Sequence, residues 1–206
     1  HAAGSVKHLL PKEGHDRGIV LLSAAAVIAD TVAEYTLWAM LSAQRDLYRY
    51  DKRMKQERGW RREGDGYGHE LYYKKVGIIA ASMVGRRVIK LLRPFECDVM
   101  VYDPYLSEAA AAELGVRKVG LDELMAASDI VSVHAPITPE TERMIGAKQF
   151  QVMKDGALFI NSARAWTVDE DAMLAELRTG RIRAVLDVFS KEPLPPDSPL
   201  RDLDNV

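Results

Sequence analysis

Cysteine is nearly absent from this chain. Cys97 stands alone among 206 residues, so no intrachain disulfide can form and no cysteine-rich metal site can be built. No metal is expected, and a reducing, cytoplasmic compartment fits that cysteine usage. Long apolar runs are missing too: nothing reaches the length of a bilayer span. The most apolar stretch, Ile19–Ala29, stops at Asp30 and follows a charged segment from Lys12 to Arg17. A buried strand with its loop is expected there rather than a signal peptide. An excess of one charge is also lacking. Lys and Arg number 28 against 30 Asp and Glu, which weighs against a typical nucleic-acid binder with its dominant basic face. Neither nucleic acid nor a membrane is expected as a partner.

What is present suits an ordinary globular protein, long enough for one large domain or one domain with part of another. The chain opens at His1, without methionine, and stops at Asn205–Val206 just after a loop, where a further strand is expected. It reads as a piece of a longer polypeptide. Residues 1–30 are small, apolar and irregular. Asp30 or Thr31 then has the character of a helix N-cap, with Glu34 at capping-box spacing from Thr31. Val32, Tyr35, Ala39, Met40, Ala43 and Leu47 recur at helical spacing, which predicts one helix to about Lys55. Its far end is basic, from Arg45 to Arg62; this is read as a solvated face favoured by the helix dipole, with a polyanion site as the other reading. Gly59–Gly68 is expected to be a loop.

Beyond it, short β-rich runs alternate with amphipathic stretches. The runs are Val76–Ala80, Asp98–Tyr102, Ile130–His134, Ala157–Asn161 and Arg183–Asp187. Helices are expected near Val84–Leu92, Ser107–Leu114, Leu121–Ala127, Ala147–Met153 and Asp169–Thr179. Strands that are apolar throughout and separated by helices predict an α/β fold, a doubly wound parallel sheet of Rossmann type.

The first β-run leads into Ala80-Ala81-Ser82-Met83-Val84-Gly85. This occupies the place of G-x-G-x-x-G and keeps only its last glycine. Strand before, helix after, and a second strand ending at Asp103 supply the context of a dinucleotide site. A pyrophosphate would sit on free N–H groups at the helix start. Asp103 would accept from the adenosine ribose hydroxyls and repel a 2′-phosphate, which favours NAD over NADP. Ala80 in place of the first glycine costs on the order of 1–2 kcal/mol if the turn needs positive φ. Ser82 crowds the phosphates with its Cβ, or donates its hydroxyl to them. The loop alone leaves open a turn that no longer binds a dinucleotide.

Further motifs follow in order: Val101-Tyr102-Asp103-Pro104, Val133-His134-Ala135-Pro136 with Thr138-Pro139-Glu140-Thr141, Met153-Lys154-Asp155-Gly156, Asn161-Ser162-Ala163-Arg164, Val168-Asp169-Glu170, and Leu186-Asp187-Val188-Phe189 leading to Glu192-Pro193. With these the chain resembles the D-isomer-specific 2-hydroxyacid dehydrogenases. The resemblance implies an NAD-binding domain over residues 59–206, truncated at its C-terminus. It also implies an interdomain or dimerisation helix over 31–58 and a remnant of a second, substrate-binding domain over 1–30. Implied activity is hydride transfer between NAD(H) and a small 2-hydroxy or 2-keto acid, in a likeness that extends to a homodimer.

Roles carry over by position. The resemblance sets Met83 and Val84, with Ser82 and Gly85, against the pyrophosphate, and makes Asp103 the ribose-binding acid. His134 and Thr141 line the cofactor cleft. Ser162, Ala163 and Arg164 lie beside the nicotinamide, and Asp187 holds its carboxamide. Arg164 resembles the arginine that grips the substrate carboxylate with two parallel bonds and polarises the keto group. Glu192 resembles the acid that raises the pKa of a catalytic histidine; a solvated loop glutamate is the plainer reading. That histidine is expected beyond Val206, so this chain alone is expected to be inactive. Gly4 and Ser5 look like part of a carboxylate-binding loop. Tyr73 and Ala165 stand, like Ala80, where the family usually has glycine. A non-catalytic NAD sensor or interaction protein on the same scaffold is the alternative.

Overall fold

The computed structural model describes residues 16–19, 22–60 and 68–206. Its centre is a six-stranded sheet in which every paired strand is parallel. The strands are β1 (Lys75–Ile79), β2 (Asp98–Tyr102), β3 (Arg117–Lys118), β4 (Ile130–Val133), β5 (Leu158–Asn161) and β6 (Arg183–Leu186). They lie in the order β3-β2-β1-β4-β5-β6, that of a dinucleotide-binding sheet whose strand order reverses beside β1. The doubly wound α/β expectation therefore holds. β3 carries no expectation from sequence, because two charged-residue positions at a sheet edge show neither apolar run nor alternation.

Helices cover both faces. One face packs against α1 (Ala25–Gln44), α3 (Met83–Leu92) and α4 (Glu108–Leu114). Its core unites Met40, Val76, Ile78, Val88, Ile89, Leu92 and Ile160. The opposite face packs against α5 (Leu121–Ala127), α6 (Ala147–Gln151) and α7 (Glu170–Leu177), with Leu124, Phe150, Phe159, Met173 and Leu177 in its core. Burying such side chains stabilises the fold by about 1.5–3 kcal/mol each. Val76 and Ile78 face one layer and Ile79 the other, which is why these strands read as continuously apolar. Gly77 permits the closest approach: a Cβ there would stand 2.4 Å from Leu124 Cδ2 and from Ser128 Oγ.

Three expectations are corrected in the first helix. Ile19–Ala29 is not a buried strand: Ile19 and Leu22 are exposed and Ala25–Ala29 are helical. The run Ala24-Ala25-Ala26 has high helix propensity, which outweighs the β-branched Val27 and Ile28 that follow it. The N-cap is therefore Ala24, not Asp30 or Thr31. Asp30 instead pairs with Arg87 of α3. The helix also does not run unbroken to Lys55. It stops at Gln44, and α2 (Leu47–Lys55) restarts after Asp46, whose φ is +51°. Arg183 of β6 secures the break, donating to Ala43 O (2.6 Å), Gln44 Oε1 (3.3 Å) and Asp46 Oδ1 (3.2 Å). Gly4 and Ser5 lie outside the described residues, as does most of the expected loop Gly59–Gly68.

Candidate cofactor cleft at the carboxyl edge of the sheet

Register places the functional candidates in one row. Ile79 pairs with Tyr102 and with Val133, Val133 with Asn161, and Asn161 with Leu186. The next residue on each strand is Ala80, Asp103, His134, Ser162 and Asp187. Backbone bonds hold the row level: Ala80 N donates to Tyr102 O (2.8 Å), His134 N to Ile79 O (2.8 Å) and Asp187 N to Asn161 O (3.0 Å). In parallel α/β sheets this carboxyl edge, beside the point where strand order reverses, is where ligands bind.

The loop after β1 turns sharply. Ala80 has φ +75°, the left-handed conformation that favours glycine, so the alanine is strained there. Tyr73 shares this property at φ +63°, while Ala165 does not and opens a short 3-10 turn. Gly85 is required for a different reason: a Cβ at this position would lie 2.2 Å from Ala80 O. Ser82 caps α3, its Oγ accepting from Gly85 N at 3.3 Å. That bond leaves its hydroxyl proton available to a ligand. Met83 and Val84 open the helix, where N–H groups have no intrahelical acceptor. Loop and helix start together fit a pyrophosphate. Asp103 closes the loop from the second strand: its Oδ2 accepts from Ala81 N (2.9 Å) and its Oδ1 from Tyr105 N (2.8 Å).

After β4, His134 is buried at 5% exposure with Nε2 3.0 Å from Ser132 Oγ. Burial pushes its pKa down to about 4. The ring is thus a neutral interior group, and its contribution to the row is positional. Thr141 ties the following loop, donating to Pro136 O at 2.7 Å and accepting from Thr138 N at 2.9 Å.

After β5, Asn161 shapes the turn that carries Arg164. Its Oδ1 accepts from Ala163 N (3.1 Å) and its Nδ2 donates to Arg164 O (3.0 Å). The half-buried Arg164 side chain folds back, Nη1 donating to Ala163 O at 2.5 Å. Beneath it, buried Ser162 meets buried Thr36 of α1, with 3.2 Å between hydroxyl oxygens. Thr36 already donates to Val32 O at 2.8 Å, so the Ser162 hydroxyl is the donor in this pair. Sequence reasoning passed over Thr36 and named Asn161 in a motif without a role for it. The available signal for Thr36 was a hydroxyl on the apolar stripe of α1.

After β6, the Asp187 carboxyl is pushed up from the ordinary range, first by loss of hydration and then by the negative Glu192. Tyr35 of α1 is raised by burial first, then by Asp187. These three groups therefore share one corner, opposite the Asp103 end of the row. Glu192 Oε1 accepts from Phe189 N at 3.1 Å, which curls the loop after Asp187. No group of metal-ligating side chains occurs among the described residues, and no described helix is long and apolar enough to cross a membrane.

Residues 37–206 match the family of D-isomer specific 2-hydroxyacid dehydrogenases, NAD binding domain. A D-3-phosphoglycerate dehydrogenase of Archaeoglobus fulgidus is 40% identical over 191 residues, 92% of this chain and 36% of that protein. A glyoxylate reductase of Korarchaeum cryptofilum is 34% identical over 199 residues, 95% of this chain and 60% of that protein. Among solved structures, a phosphoglycerate oxidoreductase from Rhizobium etli superposes with a TM-score of 0.83 at 32% identity, covering 93% of this chain and 58% of that one. An NAD-dependent formate dehydrogenase from Staphylococcus aureus, in complex with NAD, gives 0.78 at 30% identity, covering 86% and 53%. The chain thus spans between about a third and three fifths of the length of these relatives. The chain belongs to the D-isomer specific 2-hydroxyacid dehydrogenase family, matching its NAD binding domain over residues 37–206.

Proposed function

We propose that the protein takes part in reversible hydride transfer between NAD(H) and a small 2-hydroxy or 2-keto acid. The observation that carries this reading is the level row Ala80, Asp103, His134, Ser162 and Asp187, with an anion-binding helix start at one end and Arg164 toward the other. The cofactor would supply the hydride acceptor, as NAD, when the hydroxy acid is oxidised, and the hydride donor, as NADH, when the keto acid is reduced. Ser82, Met83, Val84 and Gly85 would receive its pyrophosphate, and Asp103 its adenosine ribose. The backbone of His134, Thr141 in its loop, Ser162 and Ala163 line the path between. Asp187 would accept from the carboxamide and so orient the nicotinamide ring. Arg164 swings off Ala163 O and forks onto the substrate carboxylate. Its charge polarises the keto oxygen as negative charge develops there.

His134 is not a candidate donor for the proton that accompanies the hydride. His134 is buried and neutral, and does not exchange a proton near pH 7. Glu192 would stand behind the proton donor and keep it protonated. The names of its relatives, D-3-phosphoglycerate dehydrogenase and glyoxylate reductase, support a small anionic acid as substrate. A carboxylate-binding role for Gly4 and Ser5 belongs to the same proposal. So do the division at residues 30 and 58, a homodimer and a cytoplasmic location, for which the single free thiol speaks.

Isothermal titration with NAD, followed by NADH oxidation with a panel of 2-keto acids on the full-length protein, tests the reading. Saturable NAD binding and acid-dependent oxidation are expected; failure of both would end it. The strain at Ala80 and the retracted Arg164 favour one second reading, a non-catalytic NAD sensor. Binding of NAD without turnover of any acid by the full-length protein would select it.

A further inference from the structure

The pyrophosphate of NAD brings two negative charges, yet the loop that receives it, Ala80 to Gly85, contains no cation. Asp103 adds a carboxylate beside that loop, 2.9 Å from Ala81 N. The helix start offsets only part of this charge, being equivalent to roughly half a positive charge. Two arginines follow on α3. Arg87 is committed to α1: it pairs with Asp30 and donates to Ala26 O (2.9 Å), as well as to Met83 O (3.2 Å).

Arg86 is differently placed. It lies about 100° around the helix from Arg87, turned from the α1 side. Its Nε donates to Ala81 O at 3.0 Å, which lays the guanidinium back along the phosphate loop. Its two terminal nitrogens make no hydrogen bond or ion pair with any described residue. The side chain is exposed, so a charge remains available at the loop without a burial penalty.

We propose that Arg86 is a cofactor-binding residue, the cation that receives the phosphates of the dinucleotide. Nε anchors the side chain to the loop, while Nη1 and Nη2 present a fork to phosphate oxygens. Anchoring in the unliganded state reduces the rotamer entropy lost on binding. It also explains how a loop with alanine, serine and methionine where cations or glycines would help can still hold a dianion. This inference rests on the NAD-binding reading of the cleft.

The test is isothermal titration of the chain with NAD, ADP and adenosine, on the native protein, Arg86→Ala and Arg86→Glu. R86A is expected to bind NAD and ADP about tenfold more weakly, and R86E more weakly again, as a lost charge-assisted bond and then a reversed charge require. Adenosine should bind all three alike, and ADP binding by R86A should depend less on salt. Thermal unfolding should be nearly unchanged, since the residue is exposed. R86A binding ADP within twofold of native would overturn the proposal. Equal weakening of adenosine and ADP would also overturn it, because it would reduce Arg86 to a brace for the loop. A native chain that binds neither NAD nor ADP would fail the NAD-binding reading itself, before any variant is compared.

Discussion

The carboxylate of Asp103 grips the N–H of Ala81 at 2.9 Å, so the acid at the end of β2 holds the turn that follows β1. Asp103 therefore shapes the loop, a task separate from the ribose-binding role proposed for it. Asp103→Ala is expected to weaken NAD by roughly tenfold or more, since the charged bonds to Ala81 and Tyr105 are each worth about 1.5–3 kcal/mol. NADP should lose less, because the carboxylate that repels its 2′-phosphate is gone. Titration with both cofactors gives the ratio, and an unchanged NAD:NADP preference would contradict this assignment.

Ala80 sits at φ +75°. Ala80→Gly relieves about 1–2 kcal/mol of backbone strain and loses about 0.4–1 kcal/mol to the freer unfolded chain. A net stabilisation of about 0.5–1 kcal/mol is expected from urea unfolding. Gly85→Ala should do the reverse. Its Cβ would meet the Ala80 carbonyl oxygen at 2.2 Å, and no rotamer change relieves a contact with backbone. A loss of about 1–3 kcal/mol is expected, together with loss of NAD binding.

Buried His134 makes stability depend on pH. Its pKa falls to about 4 in the fold from an ordinary 6.5. Between those values the unfolded chain binds more protons, so stability is full above pH 6.5 and is lost as pH falls toward 4. This group accounts for about 3 kcal/mol of that loss. His134→Asn should be less stable at pH 7 and should lack this part of the slope. Urea midpoints collected from pH 7 to 4 on both proteins measure the difference.

Thr36 and Ser162 form a buried pair across 126 positions of sequence. Thr36→Val keeps the shape and removes the acceptor for the Ser162 hydroxyl, which should cost about 1–3 kcal/mol. Ser162→Ala added to it should cost little more. A double-mutant cycle with additive losses would show that the two hydroxyls do not interact.

Much of this architecture is legible in the residues. The β-runs at Asp98–Tyr102 and Ile130–His134 could be read because parallel strands buried on both faces leave uninterrupted apolar stretches. The row at their carboxyl ends then follows from register. Asp103 and Asp187 were readable as first residues past such runs, and Ala80 as a misfit in a glycine pattern. Other features depend on contacts between distant segments. Periodicity continues smoothly through Arg45 and Asp46, so the break there depends on Arg183, far along the chain. Arg86 looks like any surface arginine until its Nε is found on Ala81 O. His134 reads as a cleft histidine; only burial reveals an interior, neutral ring.

The row of five first residues has a consequence for how this protein can change. Each candidate owes its place to counting: strand length and register bring it to the edge, whatever the strand's own side chains. Exchange of one apolar residue for another within β1 or β4 leaves that count intact. Adding or deleting a single residue inside a strand would turn every later side chain of that strand to the opposite face and withdraw one member from the line. The cleft should therefore accept drift in composition and resist change in length, and scanning single-residue insertions through β1, β4 and β5 with NAD binding as readout would map that ruler directly.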